Sequence, residues 1–434
     1  MGTSEVLAPF GPATQAWFQA SFAAPTAAQV GAWTHAVQRR SVLVSAPTGS
    51  GKTLAAFLAA IDRLTTTEPA DHTRVLYVSP LKALAYDVDR NLRAPLIGIQ
   101  QAAARLGEVL QPVTVGLRSG DTTPEERRSL VSRPPDILIT TPESLYLYLT
   151  SAARRTLVGV DTVIIDEVHA VAGSKRGAHL AVTLERLEAL RRDAGADTPL
   201  QRIGLSATQR PLSEVAAFLG GGTGGGEAWT PRPVEIVEIA SDKVLDVEVV
   251  VPVEDMGDLG QVVPQPPEGP ASAAGGEHRR SIWPAVHPRI LDLIEAHRST
   301  IVFTNSRRLS ERLCARLNDL AAQRWEAGRT HEDRDAPSAP PVVARAHHGS
   351  VAREQRLLIE EELKAGRLPC VVATSSLELG IDMGAVDLVI QVESPGSVAS
   401  GLQRIGRAGH HVGAPSVGKI FPKFRGDLVE AAVV

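Results

Sequence analysis

Short β-branched apolar runs alternating with amphipathic stretches constrain this chain more than any other feature. From Ser41 to about Gly220 the runs are SVLVSAP, RVLYVSP, VTVGLRSG, DILITTP, DTVIIDEVHA and RIGLSAT. A second series begins near Trp283, with IVFTN, VVARAHHG, CVVATSS, VDLVIQVESP and VGKIF. Runs apolar at nearly every position read as strands buried on both faces, and the segments of 3.6-residue period between them read as covering helices. The expectation is an α/β fold of two tandem units, each a mostly parallel sheet covered by helices. A length of 434 residues agrees, because one core rarely absorbs so much chain.

The glycine-rich GGGTGGGE at Gly220 to Glu227 follows the helix-like PLSEVAAFLG and reads as a flexible connection. The expected organisation is a first unit over 1–220, a linker over 221–232 and a second unit over 233–434. PRPVEIVEIASDKVLDVEVVVP reads as a strand pair opening the second unit. Flexible loops are expected at 253–280, rich in Pro, Gly and acidic residues, and at 327–341. The chain stops at GDLVEAAVV, an apolar, helix-compatible segment without a capping signal, which reads as a piece cut from a longer protein.

Composition is that of a soluble globular protein, 43% hydrophobic and 22% charged, which excludes a wholly disordered chain. A formal charge of -4 selects neither nucleic acid nor membrane as a partner, so any basic surface must be local. No run approaches the roughly 20 apolar residues of a membrane span. The first ten residues lack the pattern of a secretory signal, and no membrane partner is expected. Cys314 and Cys370 read as two small core residues rather than a disulfide framework.

The strongest local signal is APTGSGKT, Ala46 to Thr53, between a buried strand and the periodic LAAFLAAIDRL. Gly49 and Gly51 let backbone N–H groups close around phosphates, and the helix N-terminus adds a favourable dipole. Lys52 reaches the terminal phosphate oxygens and the Thr53 hydroxyl ligates Mg²⁺. In VIIDEVHA a strand ends on Asp166 and Glu167, at the sheet edge where ligands bind. One carboxylate can hold Mg²⁺ while the other orients and deprotonates an attacking water. His169 by itself reads as a structural histidine, with no second ligand at zinc spacing. QRIGRAGH, Gln403 to His410, places Arg404 and Arg407 at one end of the second unit. If the two sheets face each other, Arg407 can stabilise charge on a transferring phosphoryl group; the segment alone equally suits a solvated basic helix face.

The order of PTAAQ, APTGSGKT, SPLKAL, SGDT, TPESL, DEVH, SAT, IVFTNSRR, HHGS, ATSSLELGIDMG and QRIGRAGH resembles the superfamily 2 helicases of the DEAD/DExH type over nearly the whole chain. IVFTNSRR, SSLELGIDMG, QRIGRAGH and FPKFRGDLVEAAVV are most similar to the Lhr, or large helicase-related, family. The resemblance implies two RecA-like units that use ATP and Mg²⁺, move 3′ to 5′ on single-stranded DNA and unwind duplexes such as RNA:DNA hybrids in DNA repair. It implies a bacterial, cytoplasmic, nucleoid-associated protein. The family's winged helix and further C-terminal domain have no counterpart here, so the chain reads as a motor piece, monomeric by itself.

By the same resemblance Gln29 recognises adenine, Lys52 and Thr53 hold phosphate and Mg²⁺, Asp166 holds Mg²⁺, and Glu167 activates water. His169, Ser206 and Thr208 couple the nucleotide to the nucleic-acid groove. Ile381, Asp382, Gln403, Arg404 and Arg407 complete the ATP site from the second unit. His410 stands where many relatives carry a second arginine finger. Lys82, Arg118, Thr141, Ser306, Arg307, His348 and Thr374 contact the nucleic-acid backbone. Two other readings stay open: a DEAD-box-like RNA remodeller, against which DEVH and QRIGRAGH speak, and an ATP-switched nucleic-acid-binding scaffold that does not translocate.

Overall fold

The structure is a computed structural model, and it describes residues 3–47, 49–207, 210–240, 244–258, 281–328, 339–378, 386–409 and 415–433. The chain divides into two units, Met1–Ser241 and Asp242–Val434.

In the first unit the strands are β1 (Val42–Ser45), β2 (Val75–Val78), β3 (Val115–Arg118), β4 (Ile137–Thr140), β5 (Thr162–Ile165), β6 (Gln201–Ser206), the short pair β7 (Gly222–Thr223) and β8 (Thr230–Pro231), and β9 (Glu235–Glu238). Seven form one sheet in the order β3-β4-β2-β5-β6-β1-β9, parallel throughout. Successive residues of a strand point to opposite faces, and both faces are apolar here. Val42, Val44, Val75 and Tyr77 join one buried cluster with Trp33 and Phe57, while Leu43, Leu76 and Val78 join another with Leu184 and Leu187. The near-continuous apolar runs of the sequence are the record of that double burial.

In the second unit the strands are β10 (Leu245–Val249), β11 (Thr300–Phe303), β12 (Ala344–His347), β13 (Cys370–Ala373), β14 (Leu388–Val392) and β15 (Ser416–Phe421). They form a second parallel sheet in the order β10-β15-β14-β11-β13-β12. Cys314 and Cys370 are free and buried in its core. Burial, with Glu311 nearby, pushes the Cys314 thiol up to about 11, so it stays protonated.

The domain limits differ from those expected at three points. The glycine-rich segment is not a free linker, because Gly222–Thr223 and Thr230–Pro231 pair as an antiparallel ribbon. Trp229 occupies the space beside Gly222, where a Cβ would lie 2.3 Å from the indole. Arg232 then ties the ribbon back onto the first unit through Glu185, at 2.6 Å and 2.8 Å, and the Gly220 carbonyl. Second, the expected strand pair is no pair: β9 lies along β1, and β10 lies along β15 in the other sheet. The boundary therefore falls at 241/242 rather than within 221–232. Third, Met256 of the expected 253–280 loop is buried in the second core, and the helix Arg307–Gly328 runs into the expected 327–341 loop. The remainder of those loops, 259–280 and 329–338, lies outside the described residues.

Candidate active site

The loop after β1 turns through Gly49 at φ +80° and Gly51 at φ +77°, a left-handed region that side chains with a Cβ rarely adopt. Gly51 caps the helix Lys52–Thr66, so the helix N-terminus opens on the loop. Lys52 Nζ donates to the Ala46 carbonyl at 2.6 Å and the Ser206 carbonyl at 3.4 Å, which holds the ammonium between the ends of β1 and β6. Thr53 follows in the first turn, half-buried. Gln29 is buried against this loop, its Nε2 lying 2.7 Å from where a Gly51 Cβ would stand. Its Oε1 accepts the Thr26 N–H while Thr26 Oγ1 accepts the Gln29 N–H, a reciprocal cap worth about 1 kcal/mol. The Thr26 hydroxyl also donates to the Ser50 carbonyl, so the cap and the loop form one piece.

Two strands away, β5 delivers Asp166 and Glu167, both nearly inaccessible to solvent. Asp166 accepts the Tyr77 hydroxyl and, at 2.9 Å, the Glu167 N–H. Its carboxyl is nevertheless pushed up to about 7, chiefly by burial and next by the charge of Glu167. Burial and Asp166 keep the Tyr77 phenol far above its ordinary range, so Tyr77 remains a donor. Glu167 sits at φ +44°, a conformation that costs a non-glycine residue roughly 1–2 kcal/mol. His169 comes next: the Ala207 N–H donates to its Nδ1 at 3.2 Å, which leaves the proton on Nε2, 3.5 Å from Glu167 Oε2. Ser206 Oγ lies 3.0 Å from the same Nδ1.

Gln29, Gly51, Lys52, Asp166, Glu167, His169 and Ser206 thus stand together on the ligand-binding edge of the first sheet. Lys82 and Thr141 stand along the same edge, beyond β2 and β4, and Arg118 ends β3. Lys82 is paired with Asp121 at 2.5 Å. Arg118 is buried and donates to the Ser119 carbonyl, its basicity lowered by burial and by Arg127. The Thr141 hydroxyl caps the helix Pro142–Leu149 by accepting the Ser144 N–H at 3.4 Å.

On the second sheet Ser306, Arg307, His348 and Thr374 follow the C-terminal ends of β11, β12 and β13. Arg307 Nη1 donates to Ser350 Oγ at 2.9 Å, and His348 Nε2 lies 2.6 Å from Glu311 Oε1. Ser306 Oγ accepts the Leu309 N–H. Gln403 is half-buried on the helix Val398–Ile405. Arg404 differs most from expectation. Its Nε and Nη2 donate to Glu378, at 3.0 and 2.9 Å, and its Nη1 to Asn305 and Gln391. With all three nitrogens engaged inside the unit and the guanidinium over the Phe303 ring, Arg404 ties the edge together. Arg407 is buried and donates through Nη2 to the Glu378 carbonyl at 2.9 Å. Thr208, Ile381, Asp382 and His410 lie outside the described residues.

Sequence reasoning missed Tyr77, Glu378, Asn305 and Gln391. A lone tyrosine in the aliphatic VLYV run, and polar residues inside or just after buried strands, are the signals that mark them.

Residues 26–215 match the DEAD/DEAH box helicase family and residues 286–411 the helicase conserved C-terminal domain. The chain is 56% identical to a Lhr helicase/probable uracil glycosylase of Mycolicibacterium smegmatis over 99% of its length, which covers 28% of that protein. It is 41% identical to the ATP-dependent helicase Lhr-Core of Methanothermobacter thermautotrophicus over 98% of its length, covering 45% of that protein. The solved structure of Mycobacterium smegmatis helicase Lhr bound to ssDNA and AMP-PNP superposes with a TM-score of 0.82 at 56% identity, covering 99% of this chain and 50% of that one. The chain spans less than half the length of these curated relatives. Two RecA-like helicase units, with these motifs on their sheet edges, place the chain in the Lhr family of superfamily 2 DExH helicases.

Proposed function

We propose that the chain is an ATP-driven nucleic-acid motor that moves 3′ to 5′ along single-stranded DNA and serves the unwinding of duplexes such as RNA:DNA hybrids in DNA repair. The observation that carries the reading is the wiring of Glu167 through His169 to Ser206 beside the phosphate loop. Glu167 orients water and takes its proton; the Nε2–H of His169 faces that carboxylate. His169 and Ser206 then link the chemistry to the end of β6, with Thr208 two residues on. Lys52 offers its ammonium to phosphate oxygens, and Gln29 offers an amide N–H at the loop. Arg407 supplies charge stabilisation from the second unit.

The residues fit a magnesium ion, because a carboxyl raised to about 7 by burial beside a second carboxylate is relieved by a cation. Asp166 and Thr53 would hold it, and the ion would neutralise charge on the phosphates. The binding of ssDNA and AMP-PNP by the Mycobacterium smegmatis structure supports the nucleotide and single-strand parts of the reading.

The test is ATPase activity with single-stranded DNA, with RNA and without nucleic acid, followed by strand displacement from 3′- and 5′-tailed duplexes. Stimulation by single strands with 3′-tail dependence is expected. ATPase stimulation is the primary readout. An ATPase indifferent to every nucleic acid overturns the proposal.

A further inference from the structure

The second unit carries a cavity of about 860 Å³ between the helices Trp283–Glu295 and Arg307–Gly328, which no part of the proposed ATP site uses. Arg308, Arg312 and Arg316 line it at intervals of four residues, so they share one helix face and their Cα atoms span about 12 Å. All three are exposed, and among the described residues none of them takes part in an ion pair. Trp283 lines the same cavity with the His287 ring stacked on it, centroids 5.2 Å apart and planes at 19°. Burial, together with Arg316 and Arg312, holds His287 at about 4, so the stack is neutral while the arginines are charged. The cavity also reaches Ser306, one of the residues assigned to the nucleic-acid path.

We propose that this cleft is a second nucleic-acid site, which takes a single-stranded segment with its phosphates along Arg308, Arg312 and Arg316 and a base against Trp283. The inference rests on the reading of the chain as a nucleic-acid motor. Arginines one helical turn apart repeat at about 6 Å, a spacing that lets neighbouring phosphates of an extended strand meet neighbouring guanidiniums. An aromatic ring beside such a comb is the combination that binds single strands without reading sequence. Arginines on an ordinary solvated face need neither a cavity nor a stacked aromatic wall. Continuity with Ser306 makes the cleft an extension of the strand path, so it is filled only by strands longer than the main groove holds.

Fluorescence anisotropy with labelled oligothymidylates of about 10 and about 30 nucleotides, across a series of KCl concentrations, tests this. The triple variant Arg308→Ala, Arg312→Ala, Arg316→Ala should weaken the long oligonucleotide roughly tenfold at low salt. It should also lower the salt slope by about 2, from ~0.7 per lost phosphate contact. The short oligonucleotide should be nearly unaffected. The triple Arg→Lys variant should keep the slope, which a folding defect would not allow. Trp283→Ala should weaken the long oligonucleotide severalfold with its slope unchanged. An equal loss for both lengths, or no loss for either, overturns the second site. Failure of the unmodified chain to bind either oligonucleotide overturns the motor reading itself.

Discussion

His169 Nε2 lies 3.5 Å from Glu167 Oε2, and the Ala207 N–H on Nδ1 fixes the ring in the tautomer that carries its proton toward Glu167. A neutral donor, rather than a cation, therefore faces this carboxylate. Glu167→Gln preserves size and most hydrogen bonding but removes the base. ATP turnover should fall by about a hundredfold or more while nucleotide binding, measured by equilibrium titration, is retained. Unchanged turnover in a preparation cleared of contaminating ATPase would remove Glu167 from the mechanism.

Asp166 yields a prediction about stability. Its folded carboxyl titrates near 7 against an ordinary 3.8, so the folded state binds the proton more tightly than the unfolded chain. The contribution is complete below about pH 4 and is lost as pH rises through 7. At pH 8 the ionised carboxylate, buried beside Glu167, opposes folding. Asp166→Asn should raise the Tm at pH 8 by at least about 2 °C, corresponding to roughly 0.5–1 kcal/mol or more. The difference should shrink toward pH 5, where the native carboxyl is already neutral. Mg²⁺ should raise the Tm of the native chain more than that of the variant. An equal Tm difference at both pH values counts against the assignment.

The two arginines of QRIGRAG separate by the same kind of reasoning. Arg404 is held by Glu378, Asn305 and Gln391, so Arg404→Met leaves the half-buried Glu378 carboxylate without its cation and should destabilise the second unit by about 3 kcal/mol. Arg407 is buried and donates through Nη2 to the Glu378 carbonyl. Arg407→Ala should slow hydrolysis by up to about a thousandfold with little loss of single-strand binding. Chemical denaturation and steady-state ATPase assays, run on both variants, distinguish the two cases. The assignment fails if Arg404→Met is as stable as the native chain, or if Arg407→Ala hydrolyses ATP normally.

What could be read in the sequence follows from which interactions are local. Strand runs such as VLVS and TVII are legible because burial on both faces makes nearly every position apolar. The phosphate loop is legible because its glycines, lysine and helix start lie within eight residues of one another. Which sheet a strand joins is not local. The runs EIVE and LDVEV look alike, yet one lies along β1 and the other along β15. The glycine-rich segment misled for the same reason, since Arg232 finds Glu185 across 47 residues. Tyr77 meets Asp166 across 89 residues and Arg404 meets Asn305 across 99, separations for which neither period nor composition carries a signal.

The His287–Trp283 stack makes the second unit sensitive to acid in a defined direction. His287 titrates near 4 in the folded chain against an ordinary 6.5, so the unfolded chain takes up its proton first. The stability this neutral ring contributes is present above about pH 6.5 and is lost as pH falls through 4. Arg316 and Arg312 deepen the shift, because a protonated ring would add one more positive charge to a cleft already lined by arginines. His287→Gln removes the titration while leaving Trp283 in place. The Tm of the variant, compared with that of the native chain, should therefore gain steadily as the buffer goes from pH 7.5 to pH 5. An anionic strand seated on the arginines would weaken the field that depresses His287, so long oligothymidylate should narrow the gap at pH 5 and short oligothymidylate should not. A gap independent of pH would mean that His287 is already solvated in the folded chain, and the neutral wall of the cleft would have to be abandoned.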